Sequence, residues 1–194
     1  PAIFSSAPVR NFSKTFEGVP AVLVGAGPSL DENLAEMTRL KESALVMAVD
    51  TALAPLLSVG CEPDVVLAMD AQEENALDFA GLPAHRTTLL FDAFCYPSIA
   101  RMYAPSSRIV SMTGHLISDV DDVTILRNGF LPLLEHLMGE EIGFLQNGGS
   151  VITGAFDLAR LAGCSAVGLI GADMAYPNFM GHSKLTQRSQ AKYR

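Results

Sequence analysis

"AVLVGAGPSLDENL" runs from Ala21 to Leu34, and its reading decides the fold. An apolar run empties into Gly25-Ala26-Gly27-Pro28-Ser29, and a polar, helix-like segment follows. That order is the strand–turn–helix opening of a parallel sheet. Two glycines permit a tight turn with no Cβ in the way, and Pro28 stiffens the start of the helix. Ser29, with Glu32 three residues on, has capping-box spacing, so the helix is expected just after the glycines. The motif matches only the start of G-x-G-x-x-G, because Leu30 stands where the third glycine would be. No Gly-Lys-Ser/Thr follows either. Neither a plain dehydrogenase nor a P-loop ATPase is expected. Free N–H groups at the helix start favour an anion or a polar ring, although a plain strand-to-helix turn has the same sequence.

Outward from this stretch, short β-branched runs alternate with amphipathic ones. Strands are expected near 21–25, 44–49, 64–69, 87–91, 107–111 and 166–171. Helices are expected near 30–40, 51–58, 72–80, 97–103, 130–138 and 151–162. Gly60 and Gly163 sit where left-handed residues end helices. The expected fold class is α/β: a Rossmann-like, mostly parallel sheet with helices on both faces. Residues 1–19 are expected to be a lead-in segment and 20–194 a single Rossmann-like nucleotide-binding domain. Residues 112–146, rich in Asp and Leu, are expected to be an insertion or lid, with Asp119, Asp121 and Asp122 in a solvated turn.

Bulk composition narrows the function classes. With 49% hydrophobic and 18% charged residues, the 194-residue chain can bury a core and is not disordered. The longest apolar candidate, 151–175, is broken by Asp157, Arg160 and Asp173, so no membrane span is expected. A net charge of −8 argues against a duplex nucleic-acid partner. Cys61, Cys95 and Cys164 form no CxxC and read as buried thiols of a reducing, cytoplasmic compartment. The chain does not begin with Met and closes on "KLTQRSQAKYR", as expected of a domain excised from a longer protein.

Ligands of an open parallel sheet bind beyond the carboxyl ends of its strands. Four expected strands end there in Asp50, Asp70, Asp92 and Asp173. Each alone is an ordinary helix cap. Together they could accept ribose hydroxyls or hold Mg²⁺ against phosphates. A second glycine bend, Asn147-Gly148-Gly149-Ser150, precedes the helix near 151–162 and again presents a helix start. After the last strand comes "GADMAYPNFMGHSK", Gly171 to Lys184, carrying Tyr176 and His182. A histidine there can act as general base. His85 and His115, read as lying in turns, and His136, in a helix, read as surface or core residues.

Together these stretches resemble the bacterial motility-associated factors, which carry a domain like archaeal 6-hydroxymethylpterin pyrophosphokinase. The order G-x-G-P-S-L … G-x-x-P-D … D … G-S-V … G-x-D carries that resemblance from about Ala21 to His182. The same order, with Gly181-His182-Ser183-Lys184, is similar to the Campylobacter-type sialyltransferases. The resemblance implies a CMP-sugar donor of the nonulosonic or sialic acid type and flagellin as acceptor. It implies that Gly25, Gly27, Pro28 and Ser29 line the nucleotide, with Asp50 and Asp70 beside it. Asn147, Gly148, Gly149, Ser150 and Asp173 complete that expected set. His182 would take the acceptor proton and Tyr176 would help the departing phosphate; the usual tyrosine pair is not evident.

No cofactor is required for such a transfer. The alternative is a pyrophosphokinase moving diphosphate from ATP to a pterin alcohol, with Mg²⁺ on Asp50, Asp70 and Asp173. A non-catalytic nucleotide-binding module is the third reading.

Overall fold

The computed structural model describes residues 2–82, 86–102, 107–119, 122–126 and 130–191. Its strands are β1 (Ala7–Pro8), β2 (Ala21–Val24), β3 (Leu45–Val49), β4 (Val65–Ala68), β5 (Thr88–Asp92), β6 (Ser107–Asp119), β7 (Asp122–Leu126), β8 (Phe144–Gln146) and β9 (Val167–Ile170). Its helices are α1 (Leu30–Asn33), α2 (Met37–Lys41), α3 (Leu53–Ser58), α4 (Ile99–Met102), α5 (Leu131–Met138), α6 (Val151–Leu161) and α7 (Gln187–Ala191).

The sheet order is β1-β6-β5-β4-β3-β2-β9, and β7 and β8 also pair with β6. Among the described residues every pairing is parallel except β6 with β7. Strands β2 to β6 are laid down in sequence in one direction. The chain then returns to add β9 on the other side of β2, so the winding reverses between β2 and β9. A crevice opens at the carboxyl ends of the strands at such a reversal.

Burial on both faces explains the unbroken apolar runs. On β4, Val65 and Leu67 join the core under α6, with Ala155 and Leu158. Val66 and Ala68 point to the other face and pack with Phe79, Ile99 and Leu134. Alternate residues thus meet different helices, and neither set can be polar. The Rossmann-like architecture expected from the sequence is present.

Local details differ. The helix expected at 30–40 is interrupted at Leu34–Glu36 by a tighter three-residue turn. Asn33 Nδ2 donates to the Ser29 carbonyl at 2.8 Å, at the end of this first short helix. Leu30, Leu34 and Met37 still bury on one side. Glu73–Phe79 is a 3₁₀ run, and its three-residue repeat aligns Asn75 with Asp78, both 1% exposed.

The expected lead-in is part of the domain. Ala7–Pro8 pairs with β6, Val9 is fully buried, and the Lys14 amide donates to the Leu161 carbonyl at 2.9 Å. Nor is 112–146 an insertion or lid in its described parts. Met112–Gly114 pairs in parallel with β8, and Leu131, Ile142 and Leu145 are core residues. Asp119 and Asp122 are paired strand residues closing a hairpin, not turn residues, and Asp121 lies outside the described residues.

Candidate functional site

What comes close to the first glycine bend is the chain itself. The Gly25 amide donates to the Ile170 carbonyl and the Gly27 amide to the Gly171 carbonyl, both at 2.8 Å. A Cβ on Gly25 would lie 2.5 Å from the Gly171 oxygen, and one on Gly27 would lie 2.3 Å from Asp173 Oδ2. Gly171 is itself left-handed, at φ +66°. The glycines therefore let β2 and β9 stay adjacent beyond their last residues, and their amides are not available to a ligand. The capping box is not formed: Ser29 is helical and makes no side-chain cap. Asp173 Oδ2 accepts the Ser29 amide instead, at 2.9 Å.

A cavity of about 710 Å³ opens over this edge. Gly25 and Gly27 line it from the first bend, and Asn147, Gly149 and Ser150 from the second. Asp50, Asp70, Asp173, Tyr176 and His182 also line it. Of the residues expected to line a nucleotide, Pro28, Ser29 and Gly148 do not reach the cavity surface. Gly148 instead donates its amide to Thr153 Oγ1 at 2.9 Å, and Thr153 returns its own amide to the Ser150 carbonyl at 3.0 Å. Asn147 Oδ1 accepts the Gly149 amide at 3.1 Å. This network holds the bend without a side-chain cap from Ser150. Val151 and Ile152, the first residues of α6, line the cavity, and their amides have no acceptor within the helix.

The acidic residues fall into distinct environments. Asp50 is 3% exposed and accepts the Thr51 amide at 2.8 Å. Asn75 Nδ2 bridges it, at 3.4 Å, to Asp70, at 2.7 Å. Burial, and next the charge of Asp78, push the Asp50 carboxyl up to about 7, against the pull of the Thr51 amide. Asp78 is also raised, chiefly by burial, although Arg188 opposes this. The Arg188 Nε donates to Asp78 Oδ2 at 2.9 Å, and its Nη2 donates to the same carboxylate. Burial pulls Arg188 down, but its bond to Asp78 outweighs this and leaves it above its ordinary value.

Asp50, Asp70 and Asp173, the Mg²⁺ ligands of the alternative reading, all line the cavity. Among the described residues no three His, Cys, Asp or Glu side chains come together to hold a metal ion. Asp173 faces the Ser29 amide, and Asp50 sits where burial favours its neutral form.

Asp92, at the end of β5, is away from the cavity; it accepts the Phe94 amide and the Thr113 hydroxyl, each at 2.8 Å. His115 is a strand residue of β6, not a turn residue, and His136 is on α5; His85 lies outside the described residues. Cys61 and Cys95 are buried. Burial, reinforced by Asp92, pushes the Cys95 thiol up to about 12, which suits a packing role and not a nucleophile.

A family profile described as "6-hydroxymethylpterin diphosphokinase MptE-like" matches residues 1–179. The chain belongs to the MptE-like family. It is 30% identical over 137 residues to an uncharacterized protein of Treponema pallidum (strain Nichols), an alignment covering 66% of this chain and 32% of that protein. It is also similar to the solved structure of Maf glycosyltransferase from Magnetospirillum magneticum AMB-1. There the TM-score is 0.57 at 16% identity, over 89% of this chain and 27% of that one. At that identity the likeness shows a shared fold. The chain thus spans about a third of the curated relative and about a quarter of the solved structure.

Three cavity residues of this MptE-like domain, Gly181, His182 and Arg188, lie beyond the matched stretch. Among the described residues no helix is long and apolar enough to cross a membrane. Sequence reasoning missed Asn75, Asp78 and Arg188. Asn75 and Asp78 read only as part of the helix expected near 72–80 and Arg188 as part of the closing polar run, and only the fold brings them together.

Proposed function

We propose that this domain binds a CMP-activated sugar of the nonulosonic or sialic acid type and transfers the sugar to a protein hydroxyl, as in flagellin glycosylation. The observation that carries the reading is the cavity at the β2/β9 reversal, with both glycine bends, the start of α6 and His182 around it. Its size falls within the roughly 300–1,000 Å³ typical of small-molecule sites. The α6 amides suit the phosphate, through backbone donors and the helix dipole. Asp70 and Asp50 suit ribose hydroxyls. His182 takes the proton from the Ser or Thr hydroxyl as that oxygen bonds to the anomeric carbon. The bond from that carbon to the phosphate oxygen breaks, and CMP leaves with its electron pair, helped by the Tyr176 hydroxyl. No metal enters these steps. A cytoplasmic location belongs to the same proposal.

Calorimetric titration with CMP, CDP and ATP, with and without Mg²⁺, tests it. CMP binding without metal supports the transferase. ATP binding that requires Mg²⁺, with CMP excluded, supports the diphosphokinase chemistry in the family's description. Absence of any nucleotide binding at millimolar concentration overturns both.

A further inference from the structure

We infer that Arg188 is the oxyanion-binding cation of the cavity, reading either the phosphate of a nucleotide or the carboxylate of a sugar acid. The inference rests on the cavity being a ligand site, but it is common to the CMP-sugar and ATP readings. Among the described lining residues Arg188 is the sole Lys or Arg, whereas Asp50, Asp70 and Asp173 are all present. An anion entering among those carboxylates needs a cation opposite.

Arg188 is built to serve as that cation. Its segment is tied at one end to the first glycine bend: the Ser183 amide donates to the Ala26 carbonyl at 2.8 Å and the Lys184 amide to Asp31 at 3.2 Å. Ser183 and Thr186 are fully buried. At the other end Gln187 Nε2 donates to the Ala80 carbonyl at 3.4 Å, and the Arg188 fork grips Asp78. Asp78 is 1% exposed, and a buried ion pair is a weak device for stability. What it does achieve is to hold the guanidinium in one plane and orientation. Nε and Nη2 face Asp78, while Nη1 makes no hydrogen bond among the described residues. A planar guanidinium with one free nitrogen offers a fixed pair of N–H donors to an oxyanion.

The test is calorimetry on the 194-residue chain with CMP, ATP, cytidine and N-acetylneuraminic acid as probes. The paired variant Asp78→Asn/Arg188→Gln avoids leaving a buried carboxylate unpaired. It is expected to bind at least one anionic probe ten or more times more weakly than the native chain, with cytidine unchanged. Selective loss of CMP and ATP assigns the phosphate; selective loss of N-acetylneuraminic acid assigns the carboxylate. Arg188→Lys keeps the charge against Asp78 but loses the fork, and is expected to weaken the same probe several-fold. It decides the matter if the paired variant does not fold. Unchanged affinity for every anionic probe in the folded variants overturns the inference, as does native chain that binds none of them. Arg188-dependent ATP binding without CMP binding overturns the CMP-sugar reading and leaves this one standing.

Discussion

The Asp173 carboxylate accepts the Ser29 amide proton at 2.9 Å, tying the loop after β9 to the first turn of α1 across 144 positions of sequence. A carboxylate at a helix start satisfies an orphan donor and complements the helix dipole. It does so beside Gly27, which has no room for a side chain because Asp173 is there. The bend, the helix start and the β9 loop are therefore one mechanical unit along one side of the cavity.

Asp173→Ala removes the cap from that unit. The expected loss is about 1–2 kcal/mol, with thermal unfolding lowered by about 2–4 °C per kcal/mol. Asp173→Asn keeps an acceptor oxygen and is expected to lose less. Equal melting of both variants and the native chain would remove the cap from the account.

Gly25→Ala presses a Cβ onto the Gly171 carbonyl, where both partners are backbone. Overpacking of this kind costs about 1–3 kcal/mol. Gly60→Ala is the control, since Gly60 is left-handed at φ +73° with open space around it; it is expected to cost only about 1–2 kcal/mol of backbone strain. Urea unfolding of the two should show Gly25→Ala altering β2/β9 packing and nucleotide affinity, and Gly60→Ala leaving affinity alone.

Asp50 makes the stability of the chain pH-dependent. Its carboxyl is raised from 3.8 to about 7 in the folded state, so the folded chain holds more protons than the unfolded one between those values. Its contribution to stability is greatest below about pH 4, falls as pH rises towards 7, and is flat above. Asp50→Asn should therefore stabilise the chain at pH 8 and change little at pH 4. Denaturant unfolding at the two pH values checks this, and a variant destabilised at pH 8 would contradict it.

His182→Ala is expected to lower transfer by at least about 100-fold, the usual scale of a general base, with CMP affinity nearly unchanged. Single-turnover transfer measured beside calorimetry separates the two. Native-like transfer would exclude His182 as the base.

Much of the fold was legible. The six expected strands lie within a residue or two of β2, β3, β4, β5, β9 and the start of β6; burial on both faces writes the continuous apolar runs of β2 to β5, whereas β9 is an apolar edge strand with Leu169 exposed. The Asn147–Ser150 bend and α6 were legible for the same kind of reason: a glycine pair followed by a stripe of small and apolar residues. β1 and β8, at two and three residues, are too short to show a period. The Ser29 capping box was misread because Asp173, far off in sequence, competes for the same amide.

The sequence alone determined the alternation of strands and helices and which residues end the strands, since these follow from local periodicity and backbone preference. The tertiary structure decided what each polar residue does there. Only it brought Arg188 to Asp78, Asn75 between Asp50 and Asp70, and Gly171 against Gly25. Those pairings depend on the distance between strands that the chain makes far apart, and no short stretch of sequence encodes a distance of that kind.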